Sequence, residues 1–181
     1  MRLLPLETPE LIERVASWLA SKENYQWLDF GGGRVAGGGS ITPALLKIMA
    51  SREAHFLRAY TTEDDFPIGI IGLNDVNRAF GTGVLWMVAG EKSFRRRGYT
   101  TLATSKFLTL AFRDRGLHAV STWAVEHNPS IRMLERLNFR FIGRQRQCHY
   151  IDGRCCDRLL FDLLASDHRE LDDVPLSRTE A

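Results

Sequence analysis

Cysteine is scarce in this chain: only Cys148, Cys155 and Cys156 occur among 181 residues. An odd count with two immediate neighbours makes a poor disulfide framework, and no C-x-x-C pair offers a zinc-binding knuckle. No metal site is expected, and the thiols read as reduced side chains in or near strands. Long apolar runs are missing as well. The opening Met1-Arg2-Leu3-Leu4-Pro5-Leu6-Glu7 has no signal-peptide core, and nothing approaches membrane-spanning length. The expectation is a cytoplasmic protein without a membrane partner. An excess of one charge is also lacking. Lys plus Arg total 24 against 22 Asp plus Glu, which argues against a dedicated nucleic-acid binder but leaves room for one local basic site.

What the chain does have is the make-up of an ordinary globular domain, 44% apolar and 25% charged, at a length that suits one domain better than two. A short strand at 2–6 leads to Thr8-Pro9-Glu10, an N-cap followed by proline at the first helical position. Leu11, Ile12, Val15, Ala16, Trp18 and Leu19 then recur at helical spacing, so a helix is predicted over 9–20. The glycine run at 31–40 breaks the pattern. It lacks the G-K-[ST] ending of a nucleotide loop and reads as a connection near an acceptor site. Thr42-Pro43 restarts a helix to about Ala50.

Strand patterns follow at 55–60, 67–76 and 83–89, with Asn74-Asp75-Val76-Asn77-Arg78 read as one of the short linkers of antiparallel hairpins. A long helix is predicted from Gly98 to about Arg115, stopped by Gly116. Then come a strand at 117–125, a short helix at 129–137, and strands at 139–150 and 154–164 joined by Asp152-Gly153, a strong hairpin signal. Strand, crossover helix and strand across 83–125 give a parallel pair. The fold class is α+β with a mixed, mostly antiparallel sheet. Residues 165–181 form a polar tail.

Chemistry concentrates at Arg95-Arg96-Arg97-Gly98-Tyr99-Thr100, between the end of a strand and the start of a helix. First-turn amides have no helical partner there, the helix dipole is positive, and Gly98 lets the backbone approach a ligand. The arginines add positive charge for phosphate oxygens. A pyrophosphate suits these properties, and so does a plain solvated basic turn.

The wider arrangement resembles the GCN5-related N-acetyltransferase (GNAT) superfamily. The carriers are the strand Val84–Ala89, the turn with Arg95, Gly98 and Thr100 at the marked positions of Q/R-x-x-G-x-G/A, the helix to Gly116, the strand 119–125, the helix 129–137 and Phe139. The resemblance covers roughly 53–164 and is most specific over 83–141. Within it, Asn128-Pro129-Ser130-Ile131-Arg132-Met133-Leu134-Glu135-Arg136-Leu137-Asn138-Phe139, Ile142-Gly143-Arg144 and Asp152-Gly153 are similar to the RimJ/RimL-like branch of ribosomal-protein N-terminal acetyltransferases. Thr100 replaces the usual Gly or Ala, Asn138 the usual Gly, and Asn128 and Ser130 stand one residue closer than the branch pattern has them.

The resemblance implies an acyl-CoA N-acyltransferase domain over 1–164, with residues 1–52 as an acceptor-side wall. Acetyl-CoA is the implied acyl donor and an amine the acceptor. Arg95, Arg96, Arg97, Gly98, Tyr99 and Thr100 would hold the pyrophosphate; Met87, Val88 and Ala89 would pair with the pantetheine arm; Asn128 and Ser130 would complete the cofactor side. Leu134 stands where many members carry an acidic tyrosine, which leaves Ser130 as candidate acid or as a helix first-turn hydroxyl capping amides. Candidate bases are Glu126, His127 and Glu91, each of which also reads as a surface or turn residue. One of His149 and Tyr150, on opposite faces of a strand, is a candidate for the acceptor pocket, and Tyr25, Trp27 and Phe30 are candidate flanking aromatics. The expected activity is acetyl transfer to a primary amine by direct attack, in a monomer or homodimer without nucleic-acid partners. The alternative is an inactive acyl-CoA-binding module.

Overall fold

Thr8 caps the first helix as its position promises: its side chain accepts from the Leu11 amide at 3.3 Å, and Pro9 opens the helix α1, Pro9–Ala20. Thr42 repeats the device before α3, Pro43–Ser51. Between them lies a one-turn helix α2, Lys22–Tyr25, too short to leave a periodic trace. The computed structural model describes residues 1–29 and 41–172. The glycine run at 31–40, Phe30 and the end of the tail from 173 lie outside them.

The sheet has seven strands in the order β1-β2-β3-β4-β5-β7-β6. In chain order these are β1 (Leu3–Leu4), β2 (Phe56–Thr61), β3 (Pro67–Asn77), β4 (Thr82–Ala89), β5 (Ala119–Val125), β6 (Arg140–Ile151) and β7 (Arg154–Leu164). The crossover from β4 to β5 runs through a 3-10 turn, Lys92–Phe94, and the helix α4, Tyr99–Arg113. It makes β4–β5 the parallel pair of an otherwise antiparallel sheet. The α+β class stands. The linker expected at 74–78 does not: β3 continues to Asn77 through a register shift after Asn74, with Asp75 in left-handed backbone at φ 51°. The short helix α5 is Ile131–Arg136, trimmed at both ends from the expected span.

Helices cover both faces of the sheet, so β3 reads as a near-continuous apolar run instead of an alternation. Ile70 packs with Val15, Leu19 and Leu46 on one side, while Ile71 packs with Phe107, Leu108 and Leu134 on the other. Phe107 is fully buried, and truncating such a ring costs about 3–5 kcal/mol. This two-sided packing fixes the strands whose ends form the site. Among the described residues, no helix is long and apolar enough to cross a membrane.

Candidate active site

The parallel pair is short. Register between β4 and β5 runs from Thr82↔Ala119 to Val84↔Ser121 and then stops. Thr122 marks the parting point, its hydroxyl donating to the Leu85 carbonyl at 2.8 Å. Beyond it β4 stays paired with β3 as far as Ala89, and β5 with β7 as far as Val125. The facing edges diverge and leave backbone donors and acceptors without strand partners. A cavity of about 480 Å³ opens in the gap, bordered by Met87, Val88 and Ala89 on one side and by Thr122 and Trp123 on the other.

At the β4 end of this cavity stands the arginine turn. Arg96 has φ 62° and Gly98 φ 85°, so left-handed residues alternate with Arg97 between them. Such alternation curls successive amides toward one point, an anion nest. The amides of Arg97, Gly98, Tyr99, Thr100 and Thr101 make no hydrogen bond within the described structure. They cap no carbonyl and sit at the positive end of a 15-residue helix. Only a glycine takes φ 85° without strain. These groups fit a diphosphate.

The side chains around the turn divide the labour. Arg95 points back, its Nε donating to the Ala89 carbonyl at 3.2 Å and its guanidinium reaching Asn24 at 3.0 Å and Glu23 at 3.4 Å. It therefore straps α2 to the end of β4, and its charge is taken up by Glu23. Arg96 lines the cavity, and Arg97 lies 5.5 Å over the Phe94 ring. Tyr99 donates to Glu63 at 2.7 Å. The Thr100 hydroxyl is 2.8 Å from the phenol of Tyr60, which in turn lies 3.4 Å from the Val88 carbonyl. Tyr60 is buried, and desolvation pushes its phenol up to about 12. A Cβ at Gly69 would stand 2.2 Å from Tyr60 Cζ, so that glycine makes room for the ring.

The far wall is built by side chains from distant segments. Trp27, Leu28 and Asp29, just after α2, face Trp123 of β5. Asp29 forms an ion pair with Arg158 of β7. The Arg158 guanidinium lies 3.7 Å over the Trp123 ring and donates to His149 Nδ1 at 2.8 Å. With Nδ1 accepting, His149 is neutral and its Nε2–H donates to the Gln26 carbonyl at 2.6 Å. Burial first, with the Arg158 charge adding to it, lowers the His149 pKa.

Against this geometry the expected catalytic residues separate. Ser130 faces the cavity as the residue before α5 and makes no side-chain capping bond. The first-turn duty falls instead to Asn128, whose Oδ1 accepts from the Ser130 amide at 2.8 Å. The Ser130 hydroxyl is left free. Glu126 and His127, expected as bases, do not line the cavity. Glu126 turns to the hairpin, accepting from the Asp157 amide at 3.3 Å with Arg144 at 3.5 Å. His127 is exposed, packed edge-on against Trp27 at 5.4 Å. The cause is a tight turn after β5, closed by Asn128 N–H to Val125 O at 2.7 Å, which rotates both outward. Glu91 is likewise occupied, accepting from Trp18 Nε1 at 3.2 Å and paired with Arg14. His149 is 7% exposed and lies behind the wall, not on it. Asn74, Asp29 and Trp123 line the cavity but carry no local sequence signal; only their convergence in space reveals them.

Splayed parallel strands beside an amide nest define an acyl-CoA-dependent acyltransferase site. The chain belongs to the acetyltransferase (GNAT) domain family, whose model matches residues 1–140, and it transfers an acetyl group from acetyl-CoA to an amine. No curated sequence relative matches it. Among solved structures it is similar to a chimera of the Vibrio cholerae spermidine N-acetyltransferase SpeG with hSSAT (16% identity, TM-score 0.76, 92% of this chain and 97% of that one). It is also similar to the Vibrio cholerae spermidine N-acetyltransferase in complex with CoA and spermine (15% identity, TM-score 0.72, 92% and 96%). A third is a probable acetyltransferase (20% identity, TM-score 0.70, 91% and 92%). At these identities the likeness speaks for the fold.

Proposed function

We propose that this domain acetylates a primary amine by direct attack, with the amides of 97–101 holding the cofactor diphosphate and the free β4 edge at Met87–Ala89 holding the pantetheine arm. Acetyl-CoA supplies an activated acyl group as a thioester. An amide on the edge of β4 that faces β5, which by alternation from Leu85 belongs to Met87 or Ala89, is assigned as donor to the thioester carbonyl oxygen, where developing charge needs a fixed dipole. Ser130, with an unpartnered hydroxyl on the cavity wall, is assigned as the proton donor to the departing sulfur. None of Glu126, His127 and Glu91 reaches the cavity, so the amine proton leaves through solvent in the open cleft. No covalent enzyme intermediate is required, since the thioester is already activated towards an amine.

Arg95 enters this reading as a strap and Arg96 and Arg97 as phosphate partners. The segment from α2 to Asp29 serves as part of the acceptor wall, a reading supported by Trp27 and Asp29 on the cavity. The Asn128-to-Glu135 motif keeps the RimJ/RimL-like branch, and hence a peptide N-terminus, among the acceptors. Cysteines at 148, 155 and 156 that are not joined in disulfides accord with a reducing, cytoplasmic setting.

The observation that carries the proposal is the row of unpartnered amides beside the parted strands. Calorimetry with CoA is expected to show binding that Arg97→Glu weakens about 10-fold or more, and thiol release is expected when amines are added with acetyl-CoA. Identical behaviour of wild type and Arg97→Glu would sink the phosphate assignment. Binding without turnover by any amine would favour an inactive acyl-CoA module.

A further inference from the structure

Both carboxylates on the cavity, and one face of its Trp123 indole, are already taken by the chain's own cations. An ammonium is held in proteins by carboxylates and by the faces of indole rings. Among the described residues, two carboxylates line the cavity, Glu23 and Asp29. Glu23 is bound by Lys92 at 2.7 Å and by Arg95 at 3.4 Å. Asp29 is bound by Arg158, whose guanidinium also covers one face of Trp123. Arg158 is not a loose surface cation: its side chain is 16% exposed, and His149 Nδ1 fixes its orientation. It takes the place at Asp29 and over Trp123 that a ligand ammonium could otherwise fill. Counting the cavity charges, Glu23 and Asp29 balance Arg95 and Arg96, and the adjoining Lys92 and Arg158 leave an excess of two positive charges. The uncharged lining joins the apolar Trp27, Leu28, Trp86, Trp123 and Met133 to neutral polar groups such as Asn74, Thr122 and Ser130.

We infer that the acceptor is a primary monoamine with an apolar body, and that Arg158 excludes acceptors carrying a second cation. The inference rests on the acetyl-transfer reading and names its substrate class. It sets this chain apart from the spermidine enzymes whose fold it shares. The mechanism of exclusion is like-charge repulsion by Arg158, with no unpaired carboxylate on the cavity among the described residues. The reacting nitrogen must be neutral to attack, so a monoamine enters without residual charge, while a diamine brings one that finds no partner.

The test compares hexylamine with 1,6-diaminohexane, equal in chain length and different by one ammonium, using thiol release from acetyl-CoA. Wild type is expected to favour hexylamine in kcat/KM by about 10-fold or more, and Arg158→Gln to shrink that ratio about 10-fold by freeing Asp29. Tryptophan fluorescence of the CoA complex, titrated with each amine, reads the same preference without turnover. Arg158→Lys, which keeps the charge, is expected to retain the preference and separates loss of charge from loss of packing. A wild type that prefers the diamine or spermidine, or a ratio unchanged in Arg158→Gln, overturns the inference while leaving acetyl transfer standing. Absence of CoA binding would instead strike the underlying reading.

Discussion

The two ends of the cavity are made of different material. The cofactor end is backbone: amides of consecutive residues, a glycine at φ 85° and the free edge of one strand. The acceptor end is side chain: Trp27 and Asp29 from the segment after α2, Trp123 from β5, and His149 and Arg158 from the last hairpin. A backbone site tolerates wide change in side chains so long as the turn keeps its dihedrals. A side-chain site is rebuilt by single substitutions. The acceptor end is therefore the half that single substitutions can retune, and the amide end the half that tolerates them.

The sharpest way to break the contrast is Gly98→Val. A β-branched residue at that dihedral costs about 1–3 kcal/mol in strain and crowds the amides. The Kd for CoA is expected to rise about 100-fold, read by calorimetry, with the fold retained by circular dichroism. Unchanged affinity would mean the amides do not hold the ligand. Next in size is Ser130→Ala, expected to lower kcat about 10-fold to 100-fold with CoA affinity unaltered. A fall in affinity instead would return Ser130 to a structural role.

The acceptor end gives a smaller, pH-dependent effect. The His149 pKa is lowered in the fold, so the unfolded chain binds the proton first as the solution is acidified. The stabilisation by the neutral ring is complete above about pH 6.5 and is lost as pH falls through the depressed folded value. His149→Gln is expected to reduce Tm at pH 7.5 by a few degrees and to flatten its decline towards pH 5. Parallel curves for the two proteins would remove His149 from the network. Smallest of all, Glu126→Gln is expected to change kcat less than about 2-fold, since its carboxylate faces Arg144 and the Asp157 amide outside the cavity. A large loss in kcat would restore it as a base.

Legibility in the sequence follows the same division. Gly98, the arginines and the strand–helix–strand pattern sit within a few residues of each other, so local chemistry announces the turn and the parallel pair. Thr8-Pro9 and Thr42-Pro43 likewise declare their helices. The four residues of α2 are too few for a period to register, and the left-handed Asp75 makes a strand look like a linker. Glu126 and His127 sit at the strand end where a base would be sought; the turn closed by Asn128 sends them outward, a rotation set by one backbone hydrogen bond. Arg158 and Asp29 are far apart in the chain, and no spacing rule joins them. Their ion pair is a product of the sheet order, which sets β7 beside β5.

The hydroxyl of Thr100 has a consequence for how the domain responds to its cofactor. Through Tyr60 it joins the first turn of α4 to the end of β4 and to β2. With its phenol pushed up to about 12 by burial, Tyr60 keeps its proton at neutral and moderately alkaline pH, so the joint is not loosened by alkali there. Engagement of a ligand at the amides is therefore expected to stiffen β2 and the end of β4. Slower deuterium uptake along Phe56–Thr61 is the trace such a clamp leaves.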